Sequence, residues 1–202
     1  MIKNAKQVFS VFEKHYELVP LEVFGSDPYK TLISTLLSSR TKDETTLAAS
    51  KRLFKKAANI DSLNKLEVNR IEKLIYPVGF YITKAVHLNK LSGKVIRMYD
   101  SEIPKTRKKL MSLPGVGRKT ANLVLNRAFG KPAIAVDTHV HRISNMLGWV
   151  KTNRPEQTEK DLIKKLPKEY WKDINRYFVS IGRQYTTKKK LGEFLKDNEL
   201  IN

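Results

Sequence analysis

Apolar residues recur at helical spacing along most of the chain, and polar or helix-breaking residues separate these stretches. The strongest apolar stretch, residues 29–38, contains Leu32, Ile33, Leu36 and Leu37 and is expected to lie in the interior. Strand-type alternation is almost absent, so the pattern predicts an all-α fold of about ten helices. Helices are predicted over 2–17, 29–38, 44–57, 61–75, 84–97, 108–111, 121–128, 140–147, 156–166, 169–181 and a last segment ending near 196.

Two turns rich in proline and glycine interrupt this helical pattern. The first holds Pro77 and Gly79 and is followed by Phe80, which is either a core aromatic or an exposed side chain. The second, residues 113–117, lies between two helical segments and predicts a helix, a tight hairpin and a helix. The unpaired N–H groups at the start of the second helix, near Arg118, favour a bound phosphate.

Two residues after the second hairpin have side chains that could take part in catalysis. Lys119 falls in the first helical turn, beside Arg118 and the positive end of the helix dipole, and both neighbours favour the neutral, nucleophilic amine. Asp137 follows the apolar run 133–136, which is expected to be buried and to hold the carboxylate in place. The two residues predict an amine nucleophile with an acid–base partner, although Lys119 could instead bind phosphate and Asp137 could cap the next helix.

The composition favours a polyanionic partner. Lys and Arg number 39 against 20 Asp and Glu, which gives a net charge of +19. This charge would also suit a ribosomal protein or a membrane-surface binder, but no apolar run approaches 18 residues and no signal peptide is recognisable. We therefore expect a cytoplasmic, nucleoid-associated protein without a membrane partner, and a monomer, because no apolar stripe is left over.

The chain contains no cysteine, and its four histidines are scattered. Disulfides and thiolate metal sites are therefore excluded for these residues, and no metal or other cofactor is expected.

Three segments, 113–121, 128–130 and 134–139, resemble the signature of the helix-hairpin-helix DNA glycosylases, and most closely the endonuclease III branch. Weaker similarity extends over residues 20–185. Many members of that branch hold an iron–sulfur cluster through four C-terminal cysteines, whereas Thr186 or Thr187 stands here where the first would be expected.

The resemblance implies a two-lobed, all-α glycosylase fold with the active site in the cleft between the lobes. Residues 22–131 are expected to form a helical barrel lobe that carries the hairpin. Residues 1–21 and 132–202 are expected to form the second lobe, with Asp137 facing Lys119 across the cleft.

The resemblance also implies a function: base excision repair. The expected enzyme removes damaged, oxidised pyrimidines from double-stranded DNA through a lysine Schiff base and then cuts the abasic site by β-elimination. Its expected catalytic residues are Lys119 and Asp137. The expected DNA contacts are Arg40, Gly79, Phe80, Lys84, Leu113, Gly115, Val116, Gly117, Arg118, Thr120, His139 and Arg142. The expected pocket contacts are Ser39, Thr41 and Asp43.

Three of these expected roles have alternatives. Arg40 stands where the family commonly has a glutamine that fills the gap left by the extruded base. His139 is expected to be a structural partner near Asp137 rather than a base. The loop 39–43 could be an ordinary connection in which Asp43 caps the next helix.

Two other functions also fit these residues. One is a DNA-binding module without catalysis, for which Lys119 contributes only a phosphate contact. The other is a related glycosylase that acts on a pyrimidine dimer or a mismatched thymine.

Overall fold

A computed structural model describes residues 1–201, which form helices and connecting loops without a β-strand. This confirms the all-α prediction. The α-helices, numbered α1 to α12 in chain order, are Ala5–Lys14, Pro28–Ser38, Asp43–Lys56, Ile60–Asn64, Val68–Ile75, Tyr81–Tyr99, Arg107–Met111, Arg118–Leu123, Thr138–Met146, Pro155–Lys165, Ile174–Gln184 and Lys188–Asp197. Two short 3-10 helices, Pro20–Phe24 and Lys168–Tyr170, and one π-helical turn, Val124–Ala128, complete the described secondary structure.

The chain divides into two compact units, each with its own apolar core. One unit is Pro20–Gly130, and the other combines Met1–Val19 with the chain from Lys131 onward. The first unit buries an aliphatic core that includes Leu32, Ile33, Leu37, Leu53, Ile71, Ile75, Leu88, Leu91 and Leu110. The second packs Phe12, Ile143, Leu162, Phe178, Ile181, Leu191 and Leu195. These side chains stabilise each unit by removing apolar surface from water.

Helix starts follow local capping chemistry. The side chain of Asp27 accepts a hydrogen bond from the Lys30 N–H at 3.0 Å, and Pro28 occupies the first helical position of α2. The single helix predicted over 61–75 is wrong, because the chain breaks between α4 and α5. Asn59 caps α4 through a reciprocal capping box with Ser62.

The helix predicted over 169–181 begins later than expected. A 3-10 turn, Lys168–Tyr170, precedes α11, and the Trp171 indole N–H donates to the carbonyl of Leu166 at 2.9 Å. That bond holds the chain in a turn before the helix starts. Within residues 1–201, no helix is both long and apolar enough to cross a membrane.

Candidate active site

The predicted helix-hairpin-helix is present, with α7 and α8 joined by a turn at residues 112–117. The N–H of Val116 donates to the carbonyl of Leu113 at 3.1 Å, and both side chains are buried. Gly115 and Gly117 are exposed. The apolar side chains therefore anchor the hairpin, and only its main chain is available to a ligand at these positions.

Gly115 is required by both its backbone conformation and its neighbour. Its φ angle is +76°, which a residue with a side chain adopts at a cost. A Cβ at this position would lie 2.9 Å from Nδ1 of His87, on α6. His87 thus packs against the hairpin, a role that was not predicted from the sequence. Its spacing from Lys84, three positions along one helix, was the available signal.

We expect Gly115→Ala to destabilise the protein by more than the matched variant Gly130→Ala. Gly130 has a φ of +60° but nothing within 4 Å of its missing Cβ. Both variants therefore carry the left-handed strain of about 1–2 kcal/mol. Gly115→Ala adds overpacking against His87, typically about 1–3 kcal/mol. Urea unfolding measures both free energies, and equal losses would show that His87 moves aside freely.

Lys119 lies in the first turn of α8 and is exposed. Gly117 is the N-cap residue of that helix and makes no side-chain capping hydrogen bond. Within its own unit, residues 20–130, the Lys119 ammonium has no hydrogen bond or ion pair. The second helix is tied to the first, because Nε of Arg107 donates to Oδ1 of Asn122 at 2.8 Å. The hairpin therefore presents a solvent-accessible amine on a braced support.

Asp137 stands at the end of a buried segment, as predicted. Residues 133–136 are almost fully buried, and the amide of Asn175 donates to the carbonyl of Ala135 at 3.0 Å. Oδ1 of Asp137 accepts the Val140 N–H at 2.9 Å and caps α9. Within the described part of its own unit, no other side-chain partner occupies this carboxylate. The cap orients the group and leaves one oxygen available for chemistry.

His139 and Arg142 on α9 both pack against the C-terminal part of α11. A Cβ on Gly182 would lie 2.2 Å from Nδ1 of His139, so the imidazole rests against the glycine backbone. The Arg142 guanidinium donates to the carbonyls of Gly182 at 3.1 Å, Tyr185 at 2.9 Å and Thr186. Burial lowers the pKa of Arg142. The expected DNA contact of Arg142 does not fit this arrangement, because the guanidinium links α9 to the end of α11 and to the residues that follow it.

The segment 182–190 does not fit an iron–sulfur cluster. It contains no cysteine, whereas such clusters are held by thiolates. The Thr187 side chain caps α12 by accepting the Lys190 N–H at 3.2 Å, and Tyr185 stacks on Phe194 with ring centroids 4.3 Å apart. Hydrogen bonds and aromatic packing order this segment.

Two loop tips of the Pro20–Gly130 unit meet at their backbones. Arg40 and Phe80 both have left-handed φ angles, 52° and 58°, and the Arg40 guanidinium lies 5.3 Å from the centre of the Phe80 ring. A Cβ on Gly79 would lie 2.4 Å from the carbonyl oxygen of Arg40. Phe80 is 60% exposed, which excludes the core alternative for this residue. The arrangement presents a cation stacked on an exposed aromatic ring.

Lys84 lies beneath these tips and is 7% exposed. Its ammonium donates to the carbonyls of Leu37 at 2.8 Å and Ser39 at 2.6 Å, and reaches Oγ1 of Thr41 at 3.3 Å. The expected phosphate contact of Lys84 does not fit, because protein oxygens take all its donors. Burial lowers its pKa to about 8.

The three expected pocket residues differ in their surroundings. Ser39 is exposed, and it lines a cavity of about 270 Å³ with Leu36, Arg40, Phe80, Thr83, Lys84, His87 and Gly115. Thr41 is half-buried and bonded to its neighbours. Asp43 is the first residue of α3, and Lys42 is the cap residue, so the alternative in which Asp43 caps that helix is wrong.

An all-α chain with a braced hairpin, an exposed lysine and a capped aspartate defines a helix-hairpin-helix protein with a candidate active site. Residues 33–168 match the family model described as HhH-GPD superfamily base excision DNA repair protein. The chain is 48% identical to endonuclease III of Thermotoga maritima over 159 residues, 79% of this chain and 75% of that relative.

Solved structures give the same result. A non-covalent endonuclease III–DNA complex matches with a TM-score of 0.79 and 33% identity, over 94% of this chain and 90% of that one. A trapped endonuclease III–DNA covalent intermediate matches with a TM-score of 0.76, 33% identity and the same coverage. The chain therefore belongs to the HhH-GPD superfamily and, within it, to the endonuclease III family.

Proposed function

We propose that this protein is a base excision repair DNA glycosylase with abasic-site lyase activity, and that it removes oxidised pyrimidines from double-stranded DNA. The observation that carries the proposal is Lys119, an exposed amine in the first turn after the hairpin. A similar protein of this family forms a covalent complex with DNA, which requires a nucleophile. The net charge of +19 supports binding to the phosphate backbone and residence on the nucleoid.

The first step is extrusion of the damaged nucleotide from the duplex. A base inside the stack hides its glycosidic carbon, and a damaged base costs less to unstack, on the order of a few kcal/mol. Phe80 is the proposed wedge, because an exposed aromatic ring replaces the stacking that the duplex loses. Arg40, stacked on that ring, is the proposed contact to the orphaned base, whose edge a guanidinium can recognise by hydrogen bonds.

The second step exchanges the base for the lysine. The Lys119 amine attacks C1′ of the sugar, a C–N bond forms, and the bond between C1′ and the base nitrogen breaks. The departing base gains one proton and the attacking amine loses one, so the proton balance closes when the amine's proton passes to the base through Asp137 or water. Asp137 takes the proton of the attacking amine or stabilises positive charge on the sugar ring. Its carboxylate is already oriented by the Val140 N–H, so little reorganisation precedes the reaction.

The third step cuts the strand. Opening of the sugar ring gives a Schiff base between Lys119 and C1′, which acidifies the proton on C2′. Removal of that proton and departure of the 3′ phosphate complete a β-elimination, and water then releases the lysine. This step requires an amine at position 119, so a variant without the amine lacks it entirely.

A panel of labelled duplexes tests the proposal, each carrying one lesion. The panel contains an oxidised pyrimidine, an oxidised purine, a pyrimidine dimer, a thymine opposite guanine, and an undamaged control. We expect fastest strand cleavage at the oxidised pyrimidine and none in the control. Preference for the dimer or the mismatch would identify a glycosylase of another specificity. Equal cleavage of undamaged DNA would rule out all glycosylase versions, and binding without cleavage would indicate a DNA-binding module.

A further inference from the structure

The tips of loop 39–41 and turn 79–80 both hold strained backbone. Arg40 and Phe80 adopt left-handed φ angles. Such angles are strained for a residue with a side chain, and they persist only when surrounding contacts determine them. The two exposed side chains contact each other, with the Arg40 guanidinium 5.3 Å from the centre of the Phe80 ring, and further support comes from the residues beneath the tips.

A single buried ammonium supplies much of that support. Lys84 lies on α6, four residues after Phe80, and bonds to the carbonyls of Leu37 and Ser39 and to Oγ1 of Thr41. These oxygens belong to the end of α2 and to the loop that carries Arg40. We call this set of contacts the Lys84 bridge. It joins the helix that begins at Phe80 to the loop that presents Arg40.

Thr41 extends the bridge to the preceding turn. Its Oγ1 accepts the N–H of Gly79 at 3.1 Å as well as lying within reach of the Lys84 ammonium. Gly79 itself approaches the Arg40 carbonyl so closely that no Cβ fits. One hydroxyl therefore bonds to both of the segments that flank Phe80.

The burial of Lys84 is not explained by ion pairing. The lining of the adjacent cavity contains Arg40 and His87 as further basic groups and no carboxylate. A buried lysine without an acidic partner is costly, which is consistent with its lowered pKa. An apolar side chain of the same length would avoid that cost, but it would leave the carbonyls of Leu37 and Ser39 without this partner.

We propose that Lys84 is a positioning residue for base extrusion, which holds loop 39–41 and turn 79–80 as one rigid unit so that Arg40 and Phe80 enter the duplex together. The inference rests on the proposed function, because it assigns these side chains to the extrusion step. A preorganised pair avoids the entropic cost of ordering two loops while the duplex is being opened. Lys84 acts through Arg40 and Phe80 and does not itself contact the reacting atoms.

The test compares two single-turnover rates in wild type and Lys84→Met. One is base excision from the panel duplex that wild type cleaves fastest, and the other is incision of a duplex with a preformed abasic site. The second reaction has no base to extrude. We expect Lys84→Met to slow excision by on the order of 10- to 100-fold, since small misplacements have effects of this size. Incision of the abasic site is expected to change by less than about threefold, since no base then has to be unstacked.

Lys90→Met is the matched control. Lys90 lies on the same helix but is exposed, so its replacement removes the same charge without disturbing the bridge. This variant is expected to keep the wild-type ratio of the two rates. If Lys84→Met does not fold at the assay temperature, Thr41→Val removes only the shared hydroxyl, and it is expected to lower excision relative to incision in the same direction.

The outcomes separate this inference from the proposed function. If wild type neither excises a base nor incises an abasic site, the proposed function fails. If wild type is active but the folded Lys84→Met or Thr41→Val variant loses both rates equally, or neither, the positioning role is overturned. Selective loss of excision, with Lys90→Met unchanged, supports it.

Discussion

Lys119→Gln is expected to form no covalent adduct with DNA and to lose abasic-site incision completely. Borohydride reduces a Schiff base to a stable amine, so a duplex with one abasic site becomes crosslinked to wild type during the reaction. Glutamine has no nucleophilic amine and cannot form that linkage. It does retain a polar side chain at an exposed helical position, so the fold is expected to be unaffected. Denaturing gel electrophoresis of the borohydride-treated mixtures measures the adduct.

Lys108→Gln is the control for this experiment. Lys108 is an exposed lysine of α7, in the same helix-hairpin-helix, and it lies outside the first turn of α8. Its adduct is expected to persist, with DNA binding weakened at most by the loss of one phosphate contact. An adduct in Lys119→Gln would assign the nucleophile to another amine. Tight DNA binding by wild type without an adduct would instead favour a non-enzymatic module or a glycosylase that activates water.

The hairpin was predictable because its signals are local. Proline and glycine stop helices through their own backbone preferences, and the apolar Leu113 and Val116 anchor the turn. The burial of residues 133–136 was predictable for the same reason, since several apolar residues in a row are seldom left exposed to water. The positions of Lys119 and Asp137 at the starts of α8 and α9 followed from these local elements.

The surroundings of Lys84 and Arg142 were not predictable from the sequence. Both are basic residues on helices of a strongly basic chain, so a phosphate contact was the reasonable expectation. Most of their partners are carbonyl oxygens about 40 or more positions away. These are Leu37 and Ser39 for Lys84, and Gly182, Tyr185 and Thr186 for Arg142. Main-chain acceptors are the same for every residue type and leave no trace in a single sequence. Such ties appear only when the fold is known.

The helix break at residues 65–67 has a similar origin. Helical periodicity continues through this region, but Asn59 and Ser62 form a capping box that sets the start of α4. A second helix then starts at Val68 without a side-chain cap. Periodicity indicates which residues face the core. It does not detect a short turn when the helices on both sides of the turn bury the same face.

Asp137→Asn separates the two roles of this residue. Asparagine is as good a helix cap as aspartate, so it is expected to accept the Val140 N–H and to leave the stability of α9 nearly unchanged. It carries no negative charge and cannot take a proton from Lys119. We expect base excision to fall by about 10²–10⁴-fold, the range typical of acid–base catalysis. Single-turnover assays on the oxidised-pyrimidine duplex measure the rate, and urea unfolding measures the stability.

Asp137→Ala is the matched comparison, because it removes the cap and the charge together. It is expected to lose about 1 kcal/mol of stability, the usual cost of deleting a cap. Its excision rate should then be as low as that of Asp137→Asn. If Asp137→Asn is nearly as active as wild type while Asp137→Ala is both unstable and slow, the aspartate acts only as a cap. In that case the proton of the attacking amine leaves through water, and the charge on the sugar is stabilised by other groups.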